Sequence, residues 1–95
     1  MDISTSSNTV TITGNIKSIN DFQNIKATLD SIKASNGSIT VDLKDSISIT
    51  SSVIGYFNKL VLKDKIKFNI RVGNSQLLEL FDDLNLRQTF NVTKV

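Results

Sequence analysis

Val41-Asp42-Leu43-Lys44-Asp45-Ser46-Ile47-Ser48-Ile49-Thr50-Ser51-Ser52-Val53-Ile54-Gly55 is the stretch that decides the fold, because the spacing of its apolar residues changes inside it. Before it and into it, Ile39, Val41 and Leu43 alternate with polar residues, the period of a strand, which predicts a strand over Ser38 to Leu43. Ile47 and Ile49 continue that alternation across the polar interruption Lys44-Asp45-Ser46. Thr50-Ser51-Ser52 then places three good N-cap residues before Val53, Ile54, Phe57, Leu60 and Val61, which fall on one helical stripe. A helix starting near Ser51 and ending by Asp64-Lys65 is expected.

Downstream, Ile66, Phe68, Ile70 and Val72 alternate with Lys67, Asn69 and Arg71, a strand that Gly73 ends. Asn74 or Ser75 can cap a third helix carrying Leu77, Leu78, Phe81 and Leu84, with Asn85 as its left-handed stop and Phe90 and Val92 in a short last strand. Upstream, Phe22, Ile25, Leu29 and Ile32 mark the first helix, capped by Ser18 with Asp21 or by Asn20 with Gln23 and stopped at Asn36-Gly37. Val10 and Ile12 define a strand between Thr9 and Thr13, and Ile3 opens its hairpin partner across Ser6-Ser7-Asn8. Helices alternating with strands predict one α/β domain over residues 1–95, with a mixed, mostly parallel sheet of about five strands and three or four helices. In open α/β sheets ligands favour the loops beyond the carboxyl ends of the strands, and Ile47 to Ser52 is such a loop.

Composition narrows the chemistry. The 95 residues include no Cys and no His, which excludes disulfides, thiolate metal sites, thiol nucleophiles and imidazole general bases. A net charge of +2 is too small a field to recruit nucleic acid or a membrane by itself. Lys59, Lys63, Lys65 and Lys67 form the densest basic stretch, but Asp64 interrupts it and the aromatic residues sit at core positions, so a solvated face is expected and nucleic acid is not. Among the carboxylates Asp42, Asp45, Glu79, Asp82 and Asp83, the adjacent Asp82 and Asp83 diverge on a helix, and Asp42 and Asp45 flank a strand end, where carboxylates can hold Mg²⁺ or orient a loop but solvated or loop-capping roles are expected. Neither a Gly-rich phosphate loop nor a membrane-spanning run is present. A cytoplasmic protein that is not an enzyme, has no cofactor or metal and does not insert in a membrane is expected.

With these elements in place, the segment Val41 to Gly55 resembles the signature of STAS domains, the anti-sigma factor antagonists and their relatives. In that family a strand runs through an apolar segment into Asp-Ser-Ser-Gly-Leu-Gly, whose first Ser accepts phosphate; Ser51 matches it without a gap. Thr13-Gly14-Asn15-Ile16 looks like the family's early Gly-x-Leu turn, and Leu80-Phe81-Asp82-Asp83-Leu84-Asn85-Leu86 like its final helix and exit. Three residues depart from the pattern: Lys17 for Asp, Thr50 for the Asp before the acceptor, and Val53 for the Gly after it. The resemblance implies a partner-switching regulator of bacterial transcription that binds an anti-sigma factor serine kinase until that kinase phosphorylates Ser51, with a PP2C-type phosphatase to reverse the step. It equally includes constitutive adaptor subunits of ABC-type lipid transporters, the second expectation.

The residues expected at the docking surface are Asn15, Lys17, Ile49, Thr50, Ser51, Ser52, Val53, Ile54 and Tyr56. Ser51 has a physical logic of its own, since a helix N-terminus accommodates phosphate, although the same hydroxyl is equally suited to capping the helix. Val53 either extends the buried stripe or fills space a partner backbone would use, and Tyr56 lies at the stripe's edge, where an aromatic can anchor an interface.

Overall fold

Strict alternation of apolar residues builds five strands, β1 (Asp2–Ser6), β2 (Thr9–Thr13), β3 (Ser38–Leu43), β4 (Lys67–Val72) and β5 (Val92–Lys94), joined by the helices α1 (Ile19–Lys33), α2 (Ser51–Leu62) and α3 (Ser75–Asp83). The computed structural model describes residues 1–33 and 37–95. The strands lie in the order β1-β2-β3-β4-β5, with β1 antiparallel to β2 and every later pair parallel. Each parallel strand is thus the immediate neighbour of the one before it, and right-handed crossovers place all three helices on the same face of the sheet.

Register divides the sheet into two chemically distinct faces. Ile3, Ile12, Leu43 and Val72 stand in one cross-strand row, and Val10, Val41, Ile70 and Val92 in or beside the next, all turned to the helices. Except for half-buried Ile3, these side chains are buried. On the other face Ser4, Thr11, Asp42, Arg71 and Thr93 form a polar row across all five strands.

The helices bury Ile25 and Leu29 from α1, Val53, Tyr56, Phe57 and Leu60 from α2, and Leu77 and Phe81 from α3. Phe57 packs on Phe68 with ring centroids 4.9 Å apart, and Phe90 meets Phe57, Phe68 and Phe81 edge-on at 5.8–6.0 Å. Such arrangements add about 0.5–1.5 kcal/mol per pair beyond the area they bury.

The helix ends follow local chemistry. Ser18 and Asp21 form a reciprocal cap, with Asp21 N–H donating to Ser18 Oγ and Ser18 N–H to Asp21 Oδ2, so this pair rather than Asn20 with Gln23 starts α1. Asn85 takes φ 57° after α3, and its neighbour Leu86 N–H returns to Phe81 O at 2.8 Å, closing the helix as a left-handed stop. Asn36, expected to stop α1, lies outside the described residues.

β3 ends at Leu43, as the alternation over Ser38 to Leu43 predicts, and Ile47 and Ile49 lie in the loop that follows. Lys44 N–H still donates to Ile12 O, but Asp45 turns its carboxylate onto Gly14 N–H and Ser46 buries its hydroxyl on Gly14 O, and these bonds lift the chain out of the sheet.

Two glycines in this fold have opposite constraints. A Cβ at Gly73 would lie 1.8 Å from Lys44 O, whereas one at Gly55, within α2, meets nothing within 4 Å. Gly73→Ala is therefore expected to cost about 3 kcal/mol, and Gly55→Ala to add about 0.5–1 kcal/mol through helix propensity, in urea denaturation of the two variants. Equal midpoints for Gly73→Ala and the parent would contradict the packing described.

Candidate functional site

The carboxyl ends of β2, β3 and β4 release three loops, 14–18, 44–50 and 73–74, which hydrogen bonds tie into one surface. Gly14 N–H donates to Asp45 Oδ1 at 2.7 Å, Ser46 Oγ–H to Gly14 O at 2.7 Å, and Ile47 N–H to Asn15 Oδ1 at 3.0 Å. Asn74 serves twice, capping α3 by accepting from Leu77 N–H and donating its side-chain N–H to Ser46 O at 2.7 Å. A loop otherwise free to move is thus fixed at both flanks, and it leads directly into α2.

Thr50 is the N-cap of α2, its Oγ1 accepting from Val53 N–H at 3.4 Å. Ser51 is consequently the first helical residue. It is exposed, as is Ser52, and its hydroxyl makes no hydrogen bond among the described residues. The first turn of α2 contains no acidic residue, so the positive end of its dipole is uncompensated. α1 differs, since Asp21 accepts from Lys17 and Ser18 N–H; the Lys17 bond leads in holding the Asp21 carboxyl below its usual range.

Lys17, Ser18, Ile19, Phe22, Thr50 and Ser52 line a depression of about 130 Å³ between the two helix starts. Ile19 is 76% exposed at its rim and Ile47 is 51% exposed on the neighbouring loop. Two large apolar side chains thus stand in water beside a free hydroxyl and a lysine, a composition suited to protein contact.

Of the residues expected to dock a partner, Asn15, Lys17, Ser51 and Ser52 are exposed at this edge, and Ile49, Thr50 and Ile54 are half-buried. Two expectations are corrected. Val53 is fully buried, so it belongs to the core stripe and leaves the surface unchanged. Tyr56 is only 5% exposed and cannot anchor a partner, because its ring lies against α1 and its hydroxyl donates to Asp30. Ile19 was not expected on this surface, and Ile47, within the loop expected there, was not named as a contact. Ile19 extends the α1 stripe by one turn from Phe22, and only the position of the sheet edge shows that nothing covers it.

Tyr56 and Asp30 are the centre of a polar clamp between α1 and α2. Phe22 meets the Tyr56 ring edge-on at 6.4 Å, Lys26 and Lys33 pair with Asp30 at 3.0 and 3.3 Å, and Lys33 reaches Asp64 at 3.0 Å. Burial pushes the Asp30 carboxyl up, but hydrogen bonds from Tyr56, Lys26 and Lys33 outweigh it and bring the group down to about 2. Burial, reinforced by Asp30, pushes the Tyr56 phenol up.

No helix among the described residues is long and apolar enough to cross a membrane, and no three carboxylates among them gather as a metal site would require.

Because the Asp30 carboxyl titrates at about 2 in the folded chain against 3.8 ordinarily, its contribution to stability is complete above 3.8 and is lost as the pH falls towards 2. Asp30→Asn is expected to destabilise the protein at neutral pH and to converge on the parent in acid, while Tyr56→Phe costs about 1–2 kcal/mol at neutral pH by removing a hydrogen bond to a charged group. Urea midpoints measured across the acid range check both, and a parent–variant gap constant down to the lowest pH would contradict the clamp.

No family model matches the chain, and neither does any curated protein or solved structure.

Proposed function

We propose that the chain is a non-catalytic, protein-binding regulator built like a STAS domain, which docks an anti-sigma factor kinase through the start of α2 and is released when that kinase phosphorylates Ser51. The observation that carries the reading is the division of labour between Thr50 and Ser51. Thr50 takes the capping role, which leaves the Ser51 hydroxyl exposed and uncommitted at the first helical position.

Two of the three departures from the family pattern lose their weight in this setting. Thr50 caps α2 as an Asp would, since both side chains accept a hydrogen bond from the first-turn N–H groups. Val53 is buried and presents nothing to a partner. Lys17 remains, exposed on the rim of the depression, and puts a cation where antagonists carry an acid. This substitution selects for a partner surface of opposite charge at that point.

A phosphate on Ser51 brings about −1.5 to −2 charges to a surface flanked by Ile19 and Ile47. In a closed interface that charge must be desolvated against apolar side chains, which opposes docking. In the free protein the same charge sits at the positive end of α2 and strengthens the helix. The modification thereby changes binding without unfolding the domain.

Two measurements test the reading. Ser51→Asp is expected to weaken capture of the partner by about tenfold or more while keeping or slightly raising the melting temperature, since an acidic first-turn residue gains about 0.3–1 kcal/mol from the dipole. Affinity purification of the tagged chain from its own cells, with mass spectrometry of the captured proteins and of the Ser51 peptide, identifies the partner. A small ATP-binding kinase recovered only with unmodified Ser51 is the expected result. Recovery of a transporter ATPase with Ser51 unmodified would replace partner switching with the constitutive adaptor role, and turnover of ATP or an ester by the purified chain, abolished by Asp42→Ala, would overturn the non-catalytic reading.

A further inference from the structure

The face of the sheet opposite the helices carries a second feature with a different chemistry. Where β4 and β5 meet the turn after α3, a cleft of about 700 Å³ opens, and Arg71 and Arg87 both line it. Thr40, Asn69, Gln88 and Thr93 complete most of its wall, and no carboxylate lines it. The lining therefore combines two permanent cations with amides and hydroxyls.

The guanidinium of Arg71 is uncommitted. Its cross-strand neighbour in β3 is Asp42, yet the two form no ion pair, and Asp42 Oδ1 is buried without a hydrogen-bond partner. Arg71 makes no side-chain hydrogen bond or ion pair with any described residue and lines the cleft with its fork of donors unspent. Arg87 contacts Asp82 at 3.3 Å, with both side chains about half exposed, a pairing that water already screens.

The wall is also well ordered by its own bonds. Asn91, at φ 50°, donates its side-chain N–H to Phe68 O at 2.9 Å, and Val92 N–H donates to Arg87 O at 2.8 Å. These contacts fix the turn that carries Arg87 against β4 and β5, so the backbone of the cleft is held without a ligand.

We infer that this cleft binds a small phosphate monoester. Two guanidiniums offer paired parallel donors that match the oxygens of a tetrahedral anion, and the dianion present at neutral pH gains from both cations where a carboxylate gains from one at a time. None of the residues involved belongs to the Ser51 surface, so a ligand here acts as a separate input to the domain.

The test is a titration of the whole chain, labelled with ¹⁵N, at low ionic strength with phenyl phosphate as the probe and benzoate as the carboxylate control. Saturable shifts are expected at Asn69, Arg71, Gln88 and Thr93, with no change at Ser51. Arg71→Gln and Arg87→Gln should each weaken binding about tenfold, consistent with loss of a charge-assisted bidentate contact. Lys67→Gln, an exposed cation of β4 that does not line the cleft, should leave it unchanged. Shifts that never saturate, an affinity indifferent to Arg71→Gln, or equal affinity for benzoate would each overturn the assignment.

Discussion

The close approach of Gly73 to the carbonyl of Lys44 is the constraint on which the functional edge of the domain depends. A side chain there would collide with the backbone of the β3–α2 loop, so only glycine lets the two strand ends come together. Gly73 N–H then reaches Leu43 O at 3.0 Å, and Asn74 follows close enough to donate to Ser46 O. Ser46, fully buried, passes the connection to Gly14 O. Three loops from three strands become one surface, and Thr50 enters α2 from a fixed position.

The singly wound sheet gives the molecule two faces with separate uses. All apolar rows turn to the helices, and packing there is closed by the three phenylalanines around Phe90. The opposite face stays polar and carries no helix among the described residues, and Arg71 and Arg87 both line the cleft there. Docking is proposed at the carboxyl edge and anion recognition on the open face. Between α1 and α2, the Tyr56–Asp30 clamp ties the last turn of α1 to the middle of α2.

Element order was legible because the apolar period changes cleanly at Thr50 and again at Ile66, and because Gly73, Asn74 and Asn85 punctuate the chain where proline is absent. The end of β3 at Leu43 was legible from the polar run Lys44-Asp45-Ser46, although Ile47 and Ile49 keep the alternation; the bonds of Asp45 and Ser46 to Gly14, made more than thirty residues away in sequence, were not. Thr50, Ser51 and Ser52 are all good caps by residue type, Ser ranking above Thr, so the one that caps is decided by where the loop delivers the chain. Tyr56 sits at the edge of its stripe, where burial depends on the neighbouring helix, and the acceptor that draws it inward, Asp30, comes from α1. The Arg71–Arg87 cleft is a tertiary juxtaposition with no local signal at all.

The central claim is that a protein partner covers the edge formed by residues 14–19 and 46–55. Amide hydrogen exchange of the chain, alone and saturated with the partner captured from its own cells, measures this directly. Added protection confined to those two segments, and abolished when Ser51 carries phosphate, is the result expected. Protection centred on β1, on α3 or on the open face of the sheet, or protection indifferent to the phosphate, would contradict it.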